Sequence, residues 1–334
     1  MLVRIILVVS CIANIAKVMS SGIPYVQLSN GHKMPMLGLG TAMSQPGQVE
    51  PAIRAAFRAG YRYIDTAFIY GNEEAIGNIL EEQFRNGTVK REDVFLSTKL
   101  PPTHNRRVDI EPKLREQLKN LKVVYVDMYL VHMPAAFHHD GTQDHSVTVE
   151  DIWKGMEEVY EKGLAKAIGV SNFNSSQIRR ILKMAKVRPH NVQVETHINL
   201  IQTEIHDLCK EENITMTGYA PLGSPGRGIT EMPKGHTDPW PPGPKPLLNP
   251  LVLKLAGKYI KPPAAILLRY LHQREIIVVP KSVSPERILE NIQIFDFELL
   301  PEEVQELSRT EPQQRFFQQN KLIGHPEDPF ANER

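Results

Sequence analysis

Cysteine is almost missing from this chain: its 334 residues include two, Cys11 and Cys209. Cys11 falls in an apolar stretch near the N-terminus, so a scaffold stapled by intrachain disulfides is excluded. Cys209 reads as a small apolar helix residue rather than a nucleophile. Net charge is missing as well: 39 Lys+Arg against 38 Asp+Glu leave +1. That balance gives no electrostatic footing for nucleic acid or an anionic membrane, so any anion site must be local. No apolar run reaches the roughly 20 residues that a bilayer span takes. His138, His139 and His145 come close together, but in a polar loop rather than at strand ends, so no metal site is expected. Neither a short-period repeat nor a second domain is visible.

What the chain does carry begins with Arg4 and an apolar run, residues 5–13, ended by Asn14 and Lys17. This charge order and length are those of a secretory signal, and small residues allow cleavage after Ala13 or near Ser20. Residues 1–20 are therefore expected to be a signal, and 21–334 a single secreted domain; the alternative is an extra buried strand or frayed tail on a cytoplasmic protein. Three sequons fit a glycoprotein: Asn86-Gly87-Thr88, Asn174-Ser175-Ser176 and Asn213-Ile214-Thr215.

From residue 36 onward, short apolar runs alternate with longer amphipathic ones. Strands are expected at 37–40, 63–65, 94–99, 127–132, 165–171, 192–195, 214–219 and 276–280. Helices are expected at 50–59, 73–85, 149–162, 175–186 and 284–292. Eight alternating units point to parallel βαβ packing closed into a (β/α)₈ TIM barrel, an α/β fold of about 250 residues plus insertions. The rival is an open doubly wound sheet, which marks its dinucleotide site with G-x-G-x-x-G. Gly38-Leu39-Gly40-Thr41-Ala42-Met43 fails at the third glycine. Segment 223–250, rich in Pro and Gly, and the polar tail 310–334 fall outside the repeat. Both are expected to be long substrate-side loops rimming a pocket.

Barrel enzymes place their chemistry at the C-terminal strand ends. Those ends carry Asp65 with Tyr70 beyond it, Lys99, His132, Ser171-Asn172, Gln193, Tyr219 and Lys281. The run Tyr61-Arg62-Tyr63-Ile64-Asp65-Thr66-Ala67-Phe68-Ile69-Tyr70-Gly71-Asn72-Glu73 resembles the first signature of the aldo-keto reductase family. Ser97-Thr98-Lys99-Leu100 and Leu130-Val131-His132 complete a similar tetrad. Gly169-Val170-Ser171-Asn172-Phe173 and Val279-Pro280-Lys281-Ser282 match two further segments of that family. The resemblance extends from about Val26 to Leu300.

The four residue types suit carbonyl reduction, which needs a hydride on carbon and a proton on oxygen. A tyrosine with a reference pKa of about 10 is a poor donor near neutrality, and a nearby ammonium lowers that value. Lys99 is expected to do this to Tyr70, with Asp65 holding Lys99 charged and oriented. His132 can hydrogen-bond the carbonyl. Histidine at 132 argues against the branch that reduces steroid double bonds, where glutamate stands instead.

The resemblance also implies the cofactor, NADPH. It puts Ser171, Asn172 and Gln193 on the nicotinamide carboxamide, the Tyr219 ring on the nicotinamide face, and Glu290 and Asn291 at the adenine. Lys281, Ser282, Ser284 and Arg287 at a helix start suit a phosphate monoester, which favours NADP over NAD. The chain departs from the family at four places. Ala42 and Met133 stand where many members have Trp, Val192 where Asn is common, and Ala220 where Ser is common. Ala42, Met133, Phe137, Trp240, Phe316 and Phe317 are the expected pocket lining, wide and mostly apolar.

The expected partner is thus a small carbonyl compound, acted on by a monomer. An export signal on such an enzyme resembles the family's secreted insect branch, which reduces the 3-keto group of 3-dehydroecdysone. A steroid-type ketone is the expected substrate. The alternatives are a general aldehyde or carbonyl detoxifying reductase and a NADP-binding barrel without turnover.

Overall fold

The expected apolar runs become eight parallel strands of one sheet in the computed structural model, which describes residues 22–226 and 242–333. Trp240 and the whole expected signal lie outside the described residues. The strands are β3 (Leu39–Gly40), β4 (Tyr63–Asp65), β5 (Phe95–Leu100), β6 (Met128–Val131), β9 (Ile168–Ser171), β10 (Asn191–Glu195), β11 (Thr215–Tyr219) and β12 (Ile276–Val278), hydrogen-bonded in that order. Parallel bridges Leu37↔Val278 and Gly40↔Lys281 join the last strand to the first, so the sheet closes into a barrel. The closure is made by backbone: the Gly38 amide donates to the Val278 carbonyl at 2.9 Å and the Gly40 amide to the Pro280 carbonyl at 3.1 Å. Glycine is required at both places. A Cβ on Gly40 would lie 2.7 Å from the Val279 carbonyl oxygen, and one on Gly38 would lie 2.4 Å from the Tyr63 ring.

Alternation along each strand divides the core into two layers. Tyr63, Leu130 and Ile277 belong to the barrel interior together with Leu28 and Met34. Leu28 lies just past β1 (Tyr25–Gln27), and Met34 lies in β2 (Lys33–Pro35), its antiparallel partner in a hairpin ahead of the barrel. This hairpin seals the end where the strands begin. Ile64, Tyr129, Val192 and Val278 belong to the outer layer, packed with helix residues such as Ile53, Leu80, Trp153 and Ile266. Polar strand-end residues are therefore left at the opposite, open end.

Helices α1 (Val49–Ala59), α2 (Glu73–Arg85), α4 (Val149–Glu161), α5 (Ser175–Met184) and α9 (Pro285–Asn291) lie within two residues of the expected bounds. Helix α1 stops where Gly60 turns left-handed, φ 100°. Helix α5 ends two residues early because the Lys186 and Val187 amides donate to the Glu157 carboxylate at 2.6 and 2.8 Å. Five further helices were not expected: α3 (Arg107–Leu121), α6 (Thr203–Glu211), α7 (Pro250–Tyr259), α8 (Pro263–Gln273) and α10 (Pro301–Ser308). In α3 a narrow stripe of Ile110, Leu114, Leu118 and Leu121 is hidden among charges and interrupted in sequence by Pro112. Proline opens the other three that follow residue 250, where its missing N–H costs nothing. A small hairpin, β7 (Ala136–Phe137) with β8 (Gln143–Asp144), sits above the barrel.

Residues 310–333 have no long helix or strand, as expected, but they are pinned down rather than loose. Arg180 bonds both carboxylate oxygens of Glu327 at 2.8–2.9 Å, and Arg315 bonds Glu333 at 2.7–2.8 Å. Cys209 is buried in α6, and burial pushes its thiol up to about 12, the state of an inert core residue.

Candidate active site

The end of the barrel opposite the hairpin gathers the polar residues. Asp65 is the last residue of β4, Lys99 the next-to-last of β5, and His132 follows β6 directly. Tyr70 ends a short 3₁₀ turn, Phe68–Tyr70, that begins three residues past Asp65. Lys99 Nζ donates to Asp65 Oδ1 at 2.7 Å and to the Thr66 carbonyl at 3.0 Å, and lies 3.5 Å from the Tyr70 hydroxyl. The rings of Tyr70 and His132 meet edge-on with centroids 5.9 Å apart. All four members of the expected tetrad therefore converge.

The electrostatics correct one expectation. Burial raises the Tyr70 phenol above its ordinary value, and the Lys99 ammonium lowers it only in part, with Asp65 raising it again. Lys99 does reduce the proton affinity of Tyr70, but burial wins, so the phenol keeps its proton across neutral pH. Burial also opposes the Lys99 charge, yet Asp65 and Tyr70 together raise its pKa above the usual lysine value. Burial first, and Lys99 second, hold His132 well below the usual imidazole range. Its Nδ1 is buried with no hydrogen-bond partner among the described residues. A protonated phenol and a neutral imidazole beside one cation can donate to, and orient, a carbonyl oxygen.

Residues outside the tetrad secure Asp65. Its second oxygen accepts from Ser97 at 2.7 Å, Gln193 at 2.9 Å and Tyr63 at 3.4 Å. Sequence reading missed Ser97 and Tyr63 as members of this group. Each stands two residues from a tetrad member on one strand, so the period of 2 puts them on the same face. It also missed the network of Glu73, Thr98, Gln117 and Tyr129 behind β5. There the Thr98 hydroxyl donates to Glu73 at 2.6 Å and Gln117 donates to Glu73 at 2.8 Å and to the Lys99 carbonyl at 3.1 Å. Burial pushes the Glu73 carboxyl up to about 7 against these bonds.

The expected cofactor residues form two groups. Near the tetrad, Asn172 (φ 61°) donates through Nδ2 to the His132 carbonyl at 2.9 Å and to the Ser171 hydroxyl at 3.2 Å, and accepts from the Tyr219 hydroxyl at 2.7 Å. Gln193 spends its amide nitrogen on Asp65, which leaves its carbonyl oxygen free to meet an amide N–H. The second group lies past β12. The Ser284 hydroxyl caps α9 by accepting from the Arg287 amide at 3.3 Å and donates to Glu286 at 2.7 Å. The Lys281 ammonium and Arg287 guanidinium have no ion-pair partner among the described residues and are exposed. These two cations suit a phosphate monoester, and the Ser282 hydroxyl, which donates to the Ser284 carbonyl at 3.3 Å, would have to turn to join them. Glu290 is exposed one residue before the buried Asn291 at the far end of α9.

The expected pocket lining is brought together only in part. Ala42 and Phe317 are half-buried at this end of the barrel. Met133 and Phe137 pack with Ala135, Leu322 and Phe330 in a small apolar cluster under the tail, so they back the wall rather than face an open cleft. Phe316 is 1% exposed, its ring stacked on His197 with centroids 4.3 Å apart. It belongs to the packed interior because its amide is tied to Glu195, a constraint that hydropathy does not reveal.

The Aldo/keto reductase family model matches residues 36–311. The chain is 42% identical over 332 residues to aldo-keto reductase family 1 member A1 of Gallus gallus, covering 93% of this chain and 99% of that one. Its fold is similar to that of an aldose reductase from Schistosoma japonicum, with a TM-score of 0.84 and 38% identity over 93% of this chain and 100% of the other. It is similar also to a Bombyx mori aldo-keto reductase solved in complex with NADP, with a TM-score of 0.84 and 35% identity over 92% and 99% of the two chains. The converging tetrad, the free cations past β12 and these likenesses agree: the chain belongs to the aldo/keto reductase family, NADP-dependent oxidoreductases acting on carbonyl and alcohol groups.

Proposed function

We propose that this chain reduces a bulky, largely apolar ketone of steroid type to an alcohol with NADPH, and that Tyr70 supplies the proton. The class of reaction, carbonyl to alcohol at the expense of NADPH, is that of the family. The observation that carries the residue roles is the Lys99 ammonium between Asp65 at 2.7 Å and the Tyr70 hydroxyl at 3.5 Å. NADPH supplies the hydride when bound. Lys281, Ser282 and Arg287 are the residues to hold its 2′-phosphate, Ser171, Asn172 and Gln193 its carboxamide, and Glu290 and Asn291 its adenine. Tyr219 offers the ring that the nicotinamide meets.

As the carbonyl oxygen gains negative charge, Tyr70 gives up its proton. Lys99 stabilises the phenolate that remains, and Asp65 keeps Lys99 in place. His132, neutral because of burial and Lys99, donates to the same oxygen and fixes its approach. The acid form of Tyr70 is required, so turnover is expected to hold through neutral pH and to fall on the alkaline side as the phenol ionises. Tyr70→Phe keeps the ring and removes only the proton. It should bind NADPH as the wild type does and lose about 100-fold or more in kcat, and loss smaller than about tenfold rules Tyr70 out as the acid.

Arg287→Ala tests the phosphate reading. Losing a charged contact typically costs about 1.5–3 kcal/mol, roughly 10- to 100-fold. KM should rise by that factor for NADPH and stay near its wild-type value for NADH. Equal effects on the two cofactors mean that Arg287 does not read the 2′-phosphate.

The substrate reading is supported by the surroundings of Tyr70. Ile69, next to Tyr70 in the chain, is an exposed apolar side chain, and the half-buried Ala42 stands where a bulkier ring is common, which suits apolar ligands with few polar groups. The likeness to a structure named an aldose reductase favours a second reading, a general aldehyde or aldose reductase. A panel of 3-dehydroecdysone, a small aldehyde and an aldose, following NADPH loss, separates them. The ketosteroid should give the highest kcat/KM; if it is not reduced while the aldehyde or aldose is, the second reading replaces the first.

Export rests on Arg4, the run 5–13 and the sequons. Asn86 and Asn213 are exposed and open to a glycan. Asn174 is not, because its side chain caps α5 and donates to the Pro329 carbonyl at 3.2 Å. Sequencing of the native protein should begin between about Asn14 and Gly22; an intact Met1 on soluble intracellular material excludes export.

A further inference from the structure

Glu195, the last residue of β10, has a fully buried carboxylate that the proton chemistry above does not use. A buried carboxylate is costly unless its oxygens are paired. Oε1 accepts from the Phe316 amide at 2.7 Å and lies 2.9 Å from His197 Nε2. Oε2 accepts from the Phe317 amide at 3.0 Å and faces Arg315 Nη1 at 3.9 Å. Three of these four partners are consecutive residues of the C-terminal tail. The neighbouring chain is stitched to the loop after β10 as well. The Gln314 amide donates to the Asn199 carbonyl at 2.6 Å, and Asn199 Nδ2 donates to the Pro312 carbonyl at 2.9 Å.

A second observation connects this anchor to the cofactor end of the barrel. The Phe317 ring meets the Tyr219 ring edge-on, with centroids 5.6 Å apart and planes at 79°. The Tyr219 hydroxyl donates to Asn172 Oδ1 at 2.7 Å, and Asn172 Nδ2 donates to the His132 carbonyl at 2.9 Å. A continuous line of contacts therefore runs from the buried carboxylate through the tail to the tetrad.

We propose that Glu195 is a positioning residue, whose carboxylate latches the tail at residues 315–317 so that Phe317 backs Tyr219 and fixes its ring for the nicotinamide. This rests on the reading of Tyr219 as the nicotinamide-facing ring. The latch explains why a carboxylate is kept in a dry strand end where an apolar side chain would pack at lower cost. It holds two successive backbone amides at once, which no apolar residue can do. The tail then contributes to cofactor binding without touching the cofactor.

The test uses the full chain and three variants. Glu195→Gln keeps the shape but turns one acceptor oxygen into a donor that faces a donor amide. Phe317→Ala leaves the latch and removes the backing ring. Tyr219→Ala removes the ring that is backed. Amide exchange at 316 and 317, fluorescence titration with NADPH and turnover of a small aldehyde are measured for each. Glu195→Gln should speed exchange at the two amides by about tenfold or more. Glu195→Gln and Phe317→Ala should each weaken NADPH binding by about fivefold, and Glu195→Gln should leave kcat within about twofold. Tyr219→Ala should weaken NADPH binding at least as much. If it does and the other two bind NADPH like the wild type, the latch proposal is overturned and the Tyr219 reading stands. If Tyr219→Ala itself leaves NADPH binding unchanged, the Tyr219 reading falls and the proposal with it. Should Glu195→Gln fail to fold, Glu195→Asp takes its place: its shorter carboxylate should loosen the 316 and 317 amides and weaken NADPH binding, and exchange and binding like the wild type overturn the latch.

Discussion

A lysine and an aspartate face each other at 2.7 Å inside the barrel, with side chains 1% and 5% exposed, and much of the open end is arranged around them. Removing two charges from water costs several kcal/mol per ion, and removing one partner of such a pair typically costs about 3–5 kcal/mol. The pair survives because the other two Lys99 hydrogens and the far oxygen of Asp65 find partners. Lys99 spends its other hydrogens on the Thr66 carbonyl and the Tyr70 hydroxyl, and Asp65 spends its far oxygen on Ser97, Gln193 and Tyr63. Strand register makes this possible. Asp65 is paired with Ser97 across β4 and β5, so Ser97 is beside it and Lys99, two residues on, leans back over the same face.

The same need for polar partners shapes the outer elements. The hairpin of β1 and β2 closes one end of the barrel with Leu28 and Met34, so the open end is where polar side chains can meet both water and ligand. The tail is held there by charge rather than by a hydrophobic stripe. Arg180 bridges Glu150 and Glu327, and Arg315 bridges toward Glu195 and Glu333. With Cys209 alone available among the described residues, covalent clasps are excluded, and buried or half-buried ion pairs fix the tail's path instead.

Eight strands and five helices were legible in the sequence because their apolar periods are clean, and the closing of the barrel followed from the count of eight. The tetrad was legible because each member sits at a strand end with a recognisable local motif. Helix α3 was not, since its apolar stripe is narrow and Pro112 lies inside it. The roles of Ser97, Gln193 toward Asp65, and Glu195 were not legible either. They depend on which side chains meet across strands or across more than 100 residues of chain, as Glu195 does with Phe316. Phe316 shows the converse. An aromatic residue in a polar tail reads as a pocket wall, but a hydrogen bond from its backbone N–H to a buried carboxylate draws it into the interior.

The net state of Tyr70 has the same origin. From sequence, a lysine near a tyrosine means a lower phenol pKa. In the barrel the same enclosure that brings the two together also strips water from the phenol, and that loss outweighs the lysine. Lys99 nonetheless acts on both proton positions, second to burial at each. It opposes burial at Tyr70 and acts with burial at His132, so one residue is kept as a weak acid within reach of ionisation and its neighbour is kept from taking up a second proton. On the proposed reading, a carbonyl oxygen entering between them would meet two hydrogen-bond donors beside one cation. The cation's own charge is secured by the aspartate behind it, so the end where phenol, imidazole and ammonium meet is assembled from the buried pair outward.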